Sequence, residues 1–187
     1  MAVVGTNLVQ GPATIYKGAF GATEPADTTV NTAPPASSWT DLGGTNDGVK
    51  LSIDQTYTEL EVDQIVDRVG SRLTKRDFTV ETTLAEPTLA NLSISLNGGT
   101  SASGAGYSSF EPSFASSATQ PTYIALLFDG WAPGGAYNRR AIVRKCLSTD
   151  ALELAYTKDK MTVYSVKFTG HYVSSSIAPV HVVDQTS

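Results

Sequence analysis

Apolar and polar side chains alternate one by one along much of this chain, and only a β-strand buries a pattern with a period of two. Val49, Leu51 and Ile53 take one side of residues 49–54, and Lys50, Ser52 and Asp54 take the other. The alternation continues with Leu60 and Val62 set against Glu59, Glu61 and Asp63. After a break at Gly70-Ser71 it resumes over 73–84, where Phe78, Val80 and Leu84 oppose Lys75, Asp77, Thr79 and Glu81. Residues 13–17 are short, β-branched and aromatic, and predict an edge strand. Residues 121–129 carry the unbroken run Tyr-Ile-Ala-Leu-Leu-Phe, which predicts a central strand covered on both faces. Further strands are expected over 139–147, over 150–158 with Leu152, Leu154 and Tyr156 on one face, and over 161–173. One helix is expected. It starts at Glu86-Pro87, places Leu89, Leu92 and Leu96 at helical spacing and ends at Asn97-Gly98-Gly99. About eight strands without a βαβ rhythm imply a mainly β fold, an antiparallel β-sandwich or open barrel with one flanking α-helix.

Composition agrees with one such domain over residues 1–187. At 187 residues a fold buries roughly 70% of the surface of its unfolded chain, so no staple is required to hold a core. One cysteine, Cys146, excludes an internal disulfide framework. No apolar run reaches the ~18 residues of a membrane span, and residues 1–10 lack the basic flank and apolar core of a signal peptide, so the expected location is the cytoplasm of the producing cell. The 13 Lys and Arg against 18 Asp and Glu give a net charge of -5, which argues against a surface that grips nucleic-acid phosphate.

Long loops are expected at about 18–38, 56–76 and 97–120. The first holds Pro25, Pro34 and Pro35 and few bulky apolar residues, and reads as a surface loop or arm. The last is rich in Gly, Ser and Ala, with Tyr107, Phe110 and Phe114 as its anchors, and reads as mobile or docked by those rings alone.

Catalytic chemistry finds little support. The two histidines, His171 and His181, lie near the C-terminus, and His171 falls on the strand face opposite Phe168 and Tyr172, as a surface or interface residue would. Glu59, Glu61, Asp63 and Asp67 are carboxylates, but on a strand their heads spread along one side and no glycine turn wraps them round an ion. The Gly-Gly pairs lack the context of a phosphate cradle. No enzyme, cofactor or metal is expected.

Charge is segregated instead. Residues 47–63 carry one base, Lys50, against the acids Asp47, Asp54, Glu59, Glu61 and Asp63, whereas 68–76 carry Arg68, Arg72, Lys75 and Arg76 and no acid. Arg139, Arg140, Arg144 and Lys145 form a second basic run. Opposed patches of this kind fix register in a protein that stacks on copies of itself. The competing reading is a monomeric β-sandwich carbohydrate- or receptor-binding module whose groove uses Trp39, Trp131 and Tyr137.

The ordered succession Trp39-Thr40-Asp41-Leu42-Gly43-Gly44-Thr45-Asn46-Asp47-Gly48-Val49, Glu59-Leu60-Glu61-Val62-Asp63-Gln64, Arg72-Leu73-Thr74-Lys75-Arg76 and Leu84-Ala85-Glu86-Pro87-Thr88-Leu89-Ala90-Asn91-Leu92 resembles the tail tube, or major tail, proteins of long-tailed double-stranded DNA bacteriophages. Arg144-Lys145, the segment 152–158, the strand 163–172 and the closing run 178–184 are similar too. The resemblance spans nearly the whole chain, and no single short motif carries it. The inner tube of a contractile tail or secretion machine shares the fold.

This resemblance implies the tail-tube fold, with six copies closing into a ring and rings stacking into a hollow tube through which phage DNA passes without specific binding. It further implies a structural virion role in the phage tail after assembly in the host cytoplasm. Partners would be the chain itself, a tape measure protein, a tail terminator and distal tail or baseplate proteins, with no membrane. In such a protein the segment 56–76 reaches the neighbouring ring, so Glu59, Glu61, Asp63, Arg68, Arg72, Lys75 and Arg76 are candidate contacts. A bore that lets DNA slide carries few cations, and Lys50, Ser52 and Asp54 are the candidate lining.

Overall fold

The computed structural model describes residues 3–114, 116 and 118–186. It is mainly β and antiparallel, with one α-helix, as the alternation implies, and its main sheet is open rather than a closed barrel. The strands are β1 (Thr14–Ala19), β2 (Trp39–Asp41), β3 (Thr45–Val62), β4 (Ile65–Leu84), β5 (Gly99–Gly104), β6 (Tyr107–Pro112), β7 (Ile124–Trp131), β8 (Asn138–Ser148), β9 (Tyr164–Gly170) and β10 (Val180–Asp184), with helix α1 (Leu89–Ser95) between β4 and β5. The sheet runs β2-β1-β7-β8-β9-β4-β3, and β10 pairs with β8. Strand β8 serves three neighbours because its length is shared. Residues from Arg139 to Val143 take β10, and Cys146 to Ser148 take β9 on the same side.

One face of the curled sheet forms the main core, from Ile15, Val80, Leu84, Leu126, Val143, Tyr164, Val166 and Phe168. Their alternation with outward Glu81, Lys167 and Thr169 is the period-two pattern made physical. Strand β7 is buried on both sides, as its unbroken apolar run predicts: Leu126 belongs to the main core, and Ala125 and Leu127 join Trp39 and Ile142 in a second cluster on the other face. Full burial of each such leucine or isoleucine contributes about 1.5–3 kcal/mol.

The second face is covered by residues 20–38, which form a fitted strap rather than a projecting arm. The strap is irregular apart from a 3-10 turn at Asp27–Thr29, and it buries Val30 and Pro34. Side chains of the sheet hold its backbone. Trp39 Nε1 donates to the Thr23 carbonyl at 3.0 Å, and Arg140 donates to the carbonyls of Thr29 and Thr32 at 3.3 and 2.7 Å. Prolines leave the strap without a ladder of its own, and these donors replace the missing one.

Several expectations are corrected. The helix begins after Thr88, whose side chain accepts from the Asn91 N–H, two residues later than the Glu86-Pro87 signal. Its buried residues are Asn91 and Ser95, whereas Leu89 and Leu96 are each 38% exposed. Gly70-Ser71 is no break, because β4 runs straight through it. Residues 56–76 are therefore a β-hairpin and not a loop. Residues 150–158 form no strand, and Leu154 and Tyr156 are exposed. Strand β9 is shorter than 161–173, and Tyr172 is exposed. The stretch 97–120 holds the ribbon β5-β6, in which Tyr107 lies over Gly104 and Phe110 over Gly99; cross-strand aromatics of this kind shield glycine backbone. Tyr107 and Phe114 are exposed rather than docked, and Ala115 and Ser117 lie outside the described residues.

Candidate assembly surface

Past Ile53 and before Asp77, β3 and β4 leave the body of the protein and continue as a two-stranded arm. Residues 53–69 and 71–76 are all exposed, and Gly70 is half-buried. The pairing is regular: Gln55 lies opposite Arg76, Thr58 opposite Arg72 and Leu60 opposite Gly70, with bulges near Thr56 and Leu60. At about 3.3 Å per residue the arm projects roughly 30 Å from Ile53 to Val62. Its strands are rich in the β-branched and aromatic residues that favour such a ladder. Yet Ile53, Tyr57, Leu60, Val62, Ile65, Val66, Val69 and Leu73 all remain exposed, and Val66 is wholly so. An isolated two-stranded hairpin is marginal in water, and a contiguous apolar surface on one marks a contact site.

Charged residues of the arm fall into two groups. Glu59 pairs with Arg68, and Lys75 with Asp77 at 2.6 Å. The hydrogen bond that Lys75 donates to the Asp77 carboxylate, aided by the charge of Asp54, pushes the Lys75 pKa up. Among the described residues Glu61, Asp63, Asp67, Arg72 and Arg76 make no ion pair. The second basic run of the sequence does not survive as a patch. Arg139 pairs with Asp184, Arg140 with Asp129 and Arg144 with Glu24, while Lys145 lies over the rings of Phe20 and Tyr123 at 5.3 and 4.3 Å. Neighbours on a strand point to opposite faces, so each cation meets a different partner.

The outer face of β3-β4-β9 carries Lys50, Ser52 and Asp54, in rows set by the register. Lys50, Glu81 and Lys167 form the first row, with Glu81 bonded to both lysines at 3.2 and 3.0 Å. Those two ammonium groups, Lys167 first, hold the Glu81 carboxyl below the usual carboxylate range. Ser52, Thr79 and Thr169 form the second row, and Thr169 bonds onward to the Thr149 hydroxyl at 2.8 Å. Asp54 stands opposite Asp77 in the third. The face is polar, with two lysines against three carboxylates and three hydroxyls, and so slightly acidic.

No constellation for chemistry forms among the described residues. His171 lies edge-on to Tyr123, with ring centroids 5.2 Å apart, and its Nδ1 is 2.9 Å from the Thr169 carbonyl. His181, on β10, lies between Glu24 and Asp27 of the strap. Burial pushes the Cys146 thiol up to about 12, which leaves no thiolate at neutral pH. The acids Glu59, Glu61, Asp63 and Asp67 do not gather round a point that could hold a cation. An apolar cavity of about 400 Å³ lies between the strap and the connection 171–179, floored by Trp39 and Ile142 and rimmed by the Glu24–Arg144 pair. Trp39 is thereby a packing residue. Trp131 stacks on Gly11 and Tyr137 on Gly134, so the three aromatics build no common groove.

The sequence pattern located the arm's charges but not its apolar tip, since Ile65, Val66 and Val69 do not alternate with the run that ends at Asp63. Nor did it reveal Glu81 and Lys167 as partners of Lys50, because that contact depends on a register between strands far apart in the chain. A family model described as phage tail tube protein matches residues 5–177. No curated protein matches the chain.

Proposed function

We propose that this chain, which belongs to the phage tail tube protein family, closes with five further copies into a ring, and that rings stack into a hollow tube that conducts DNA. Its role is structural, in the tail of the virion, by self-assembly into a tube. Assembly takes place in the host cytoplasm, with the whole chain acting as one tube-forming unit. A tape measure protein fills the growing bore, a terminator ends the tube, and distal tail or baseplate proteins begin it.

The observation that carries this reading is the arm of β3 and β4, with eight large apolar residues that the subunit leaves exposed. A strand edge of 18 residues, β3, that pairs on one side only supports it further, because such an edge is an aggregation hazard unless another chain closes it. Lateral pairing of that edge satisfies its free N–H and C=O groups round a ring. The arm, with Glu59, Glu61, Asp63, Arg68, Arg72, Lys75 and Arg76, then meets the neighbouring copy. The slightly acidic face of Lys50, Ser52 and Asp54 suits a bore, since its lysines are paired with Glu81 and each unpaired cation would add salt-dependent affinity for phosphate.

Negative-stain electron microscopy of the concentrated protein, with size-exclusion chromatography of the same sample, tests this reading. Tubes or six-fold rings are expected. Particles that remain monomeric, even when mixed with a tail initiation complex, would overturn it.

A further inference from the structure

We propose that the arms of successive copies engage head to tail, the acidic tip of one (Glu61, Asp63 and Asp67) seated against the basic stem of the next (Arg72 and Arg76). This rests on the tail tube reading above and specifies which residues meet.

Over residues 58–71 the arm holds four carboxylates and one arginine, whereas its stem, 54–57 with 72–77, holds two aspartates and three bases. Opposite charge thus sits at the two ends of one rigid element. The pairing of Thr58 with Arg72 and of Gln55 with Arg76 fixes both arginines at the stem, about 26 Å from Asp63 for the further one. Hydrogen-bonded strands do not fold back on themselves, so no arm can satisfy its own tip with its own stem. The intramolecular pairs Glu59–Arg68 and Lys75–Asp77 leave Glu61, Asp63, Asp67, Arg72 and Arg76 without an ion pair among the described residues.

A second copy removes the mismatch. When the tip of one arm lies over the stem of the next, tip carboxylates meet stem guanidiniums, and the exposed Val62, Ile65 and Val66 of the tip meet the exposed Tyr57 and Leu73 of the stem as the apolar part of the contact. The charges set register and direction, and burial supplies the affinity. A head-to-tail contact propagates without limit, as a tube requires, whereas two arms laid antiparallel would also match charge but would close as a dimer.

Charge exchange in the full chain tests the proposal. Arg72→Glu with Arg76→Glu, and separately Glu61→Lys, Asp63→Lys and Asp67→Lys, should each raise the critical concentration for tubes by about tenfold or more. The chain that carries all five substitutions should assemble again within about threefold of the parent, because each reversed tip then meets a reversed stem. Leu60→Ser with Val66→Ser separates the two ideas. If it abolishes tubes while the reversed chains still form them, or if the five-fold variant is not restored, head-to-tail charge pairing is wrong and the arm contact stands. If no arm variant changes assembly, the reading of the arm as a contact fails with it. A measurement that needs no tubes uses chains with Asp63→Cys mixed with chains with Arg76→Cys under oxidation. Mixed disulfide dimers should exceed either like pair several-fold, since a bridge forms only when Cα atoms approach within about 7 Å. Mixed dimers at no more than the statistical twofold excess over either like pair, or a chain carrying both substitutions that stops at closed covalent dimers instead of longer covalent chains, would overturn the proposal.

Discussion

Arg140 and Asp129 stand directly opposite each other on β8 and β7 and share two hydrogen bonds, each of 2.7 Å. The arginine is 2% exposed and the aspartate 19%, and the remaining guanidinium donors reach the strap carbonyls of Thr29 and Thr32. One buried cation thus joins two strands to the strap. Arg140→Met leaves a partly buried carboxylate and two strap carbonyls without their donor, and should cost about 3 kcal/mol in urea unfolding. Arg140→Lys should recover only part of this, because an ammonium lacks the planar fork.

The helix offers a less intuitive outcome. Asn91 Nδ2 donates to the carbonyls of Leu42 and Glu86, at 3.0 and 2.9 Å. Asn91→Leu would improve the apolar stripe of the helix on paper. It should nevertheless destabilise the protein by about 1–3 kcal/mol, as the buried Leu42 carbonyl and the partly buried Glu86 carbonyl lose their donor. Thr88→Ala should cost about 1 kcal/mol through loss of the cap. Thermal or urea unfolding of both variants checks the order.

Acid should release the strap and the C-terminal strand before the core. The Arg144 guanidinium, hydrogen-bonded to Glu24, holds that carboxyl below its usual range, and Arg139 does the same for Asp184 on β10. A carboxylate whose folded pKa is lowered stabilises fully above its unfolded value, near 4, and loses that contribution as pH falls through the folded value. Hydrogen exchange should therefore show protection in residues 20–38 and in β10 falling below about pH 4, ahead of β7 and β8. Glu24→Gln should remove the strap's share of that dependence and leave the share of Asp184.

Cys146 provides a probe of global opening. Its thiol is buried and pushed up to about 12, so alkylation at pH 8 should be undetectable in the folded subunit and should follow the unfolding curve in urea. Labelling that precedes unfolding would show that β8 opens locally near its C-terminal end, where it pairs with β9.

If Ser52 faces the bore, a cation placed there should be felt by DNA. Ser52→Lys should increase DNA retention by assembled tubes at low salt, and the log-log salt slope should steepen by about 0.9 for each phosphate contacted. Filter binding at several salt concentrations measures it, and an unchanged slope would place this face elsewhere.

Much of the sheet was legible because alternation reports burial directly: 49–52 and 77–84 occur as strands with the expected faces inward, and the apolar run of β7 is covered twice, whereas Ile53 and Leu73, expected to face the core with them, lie on the arm and stay exposed. What misled was local pattern without tertiary support. Leu152, Leu154 and Tyr156 alternate, yet no neighbouring strand offers them a ladder, and the segment stays irregular. Gly70-Ser71 resembles a break but is carried through by the pairing of Leu60 with Gly70. The strap read as a free loop because the groups that fasten it, Trp39, Arg140 and Arg144, lie outside it, two of them more than 100 residues away. The arm's charges were visible as two blocks of opposite sign. Their division into satisfied and unsatisfied ions depends on the register of the hairpin.

The arm makes the subunit's stability and the tube's stability separate quantities. Substitutions at its exposed apolar positions leave the fold of an isolated subunit nearly untouched, because those side chains contact water in that state. The same positions can dominate the melting of the assembled tube, which gains with protein concentration by mass action. Tube strength can therefore drift or be retuned by mutation without passing through a misfolded subunit, so one folding core can serve tubes of very different durability.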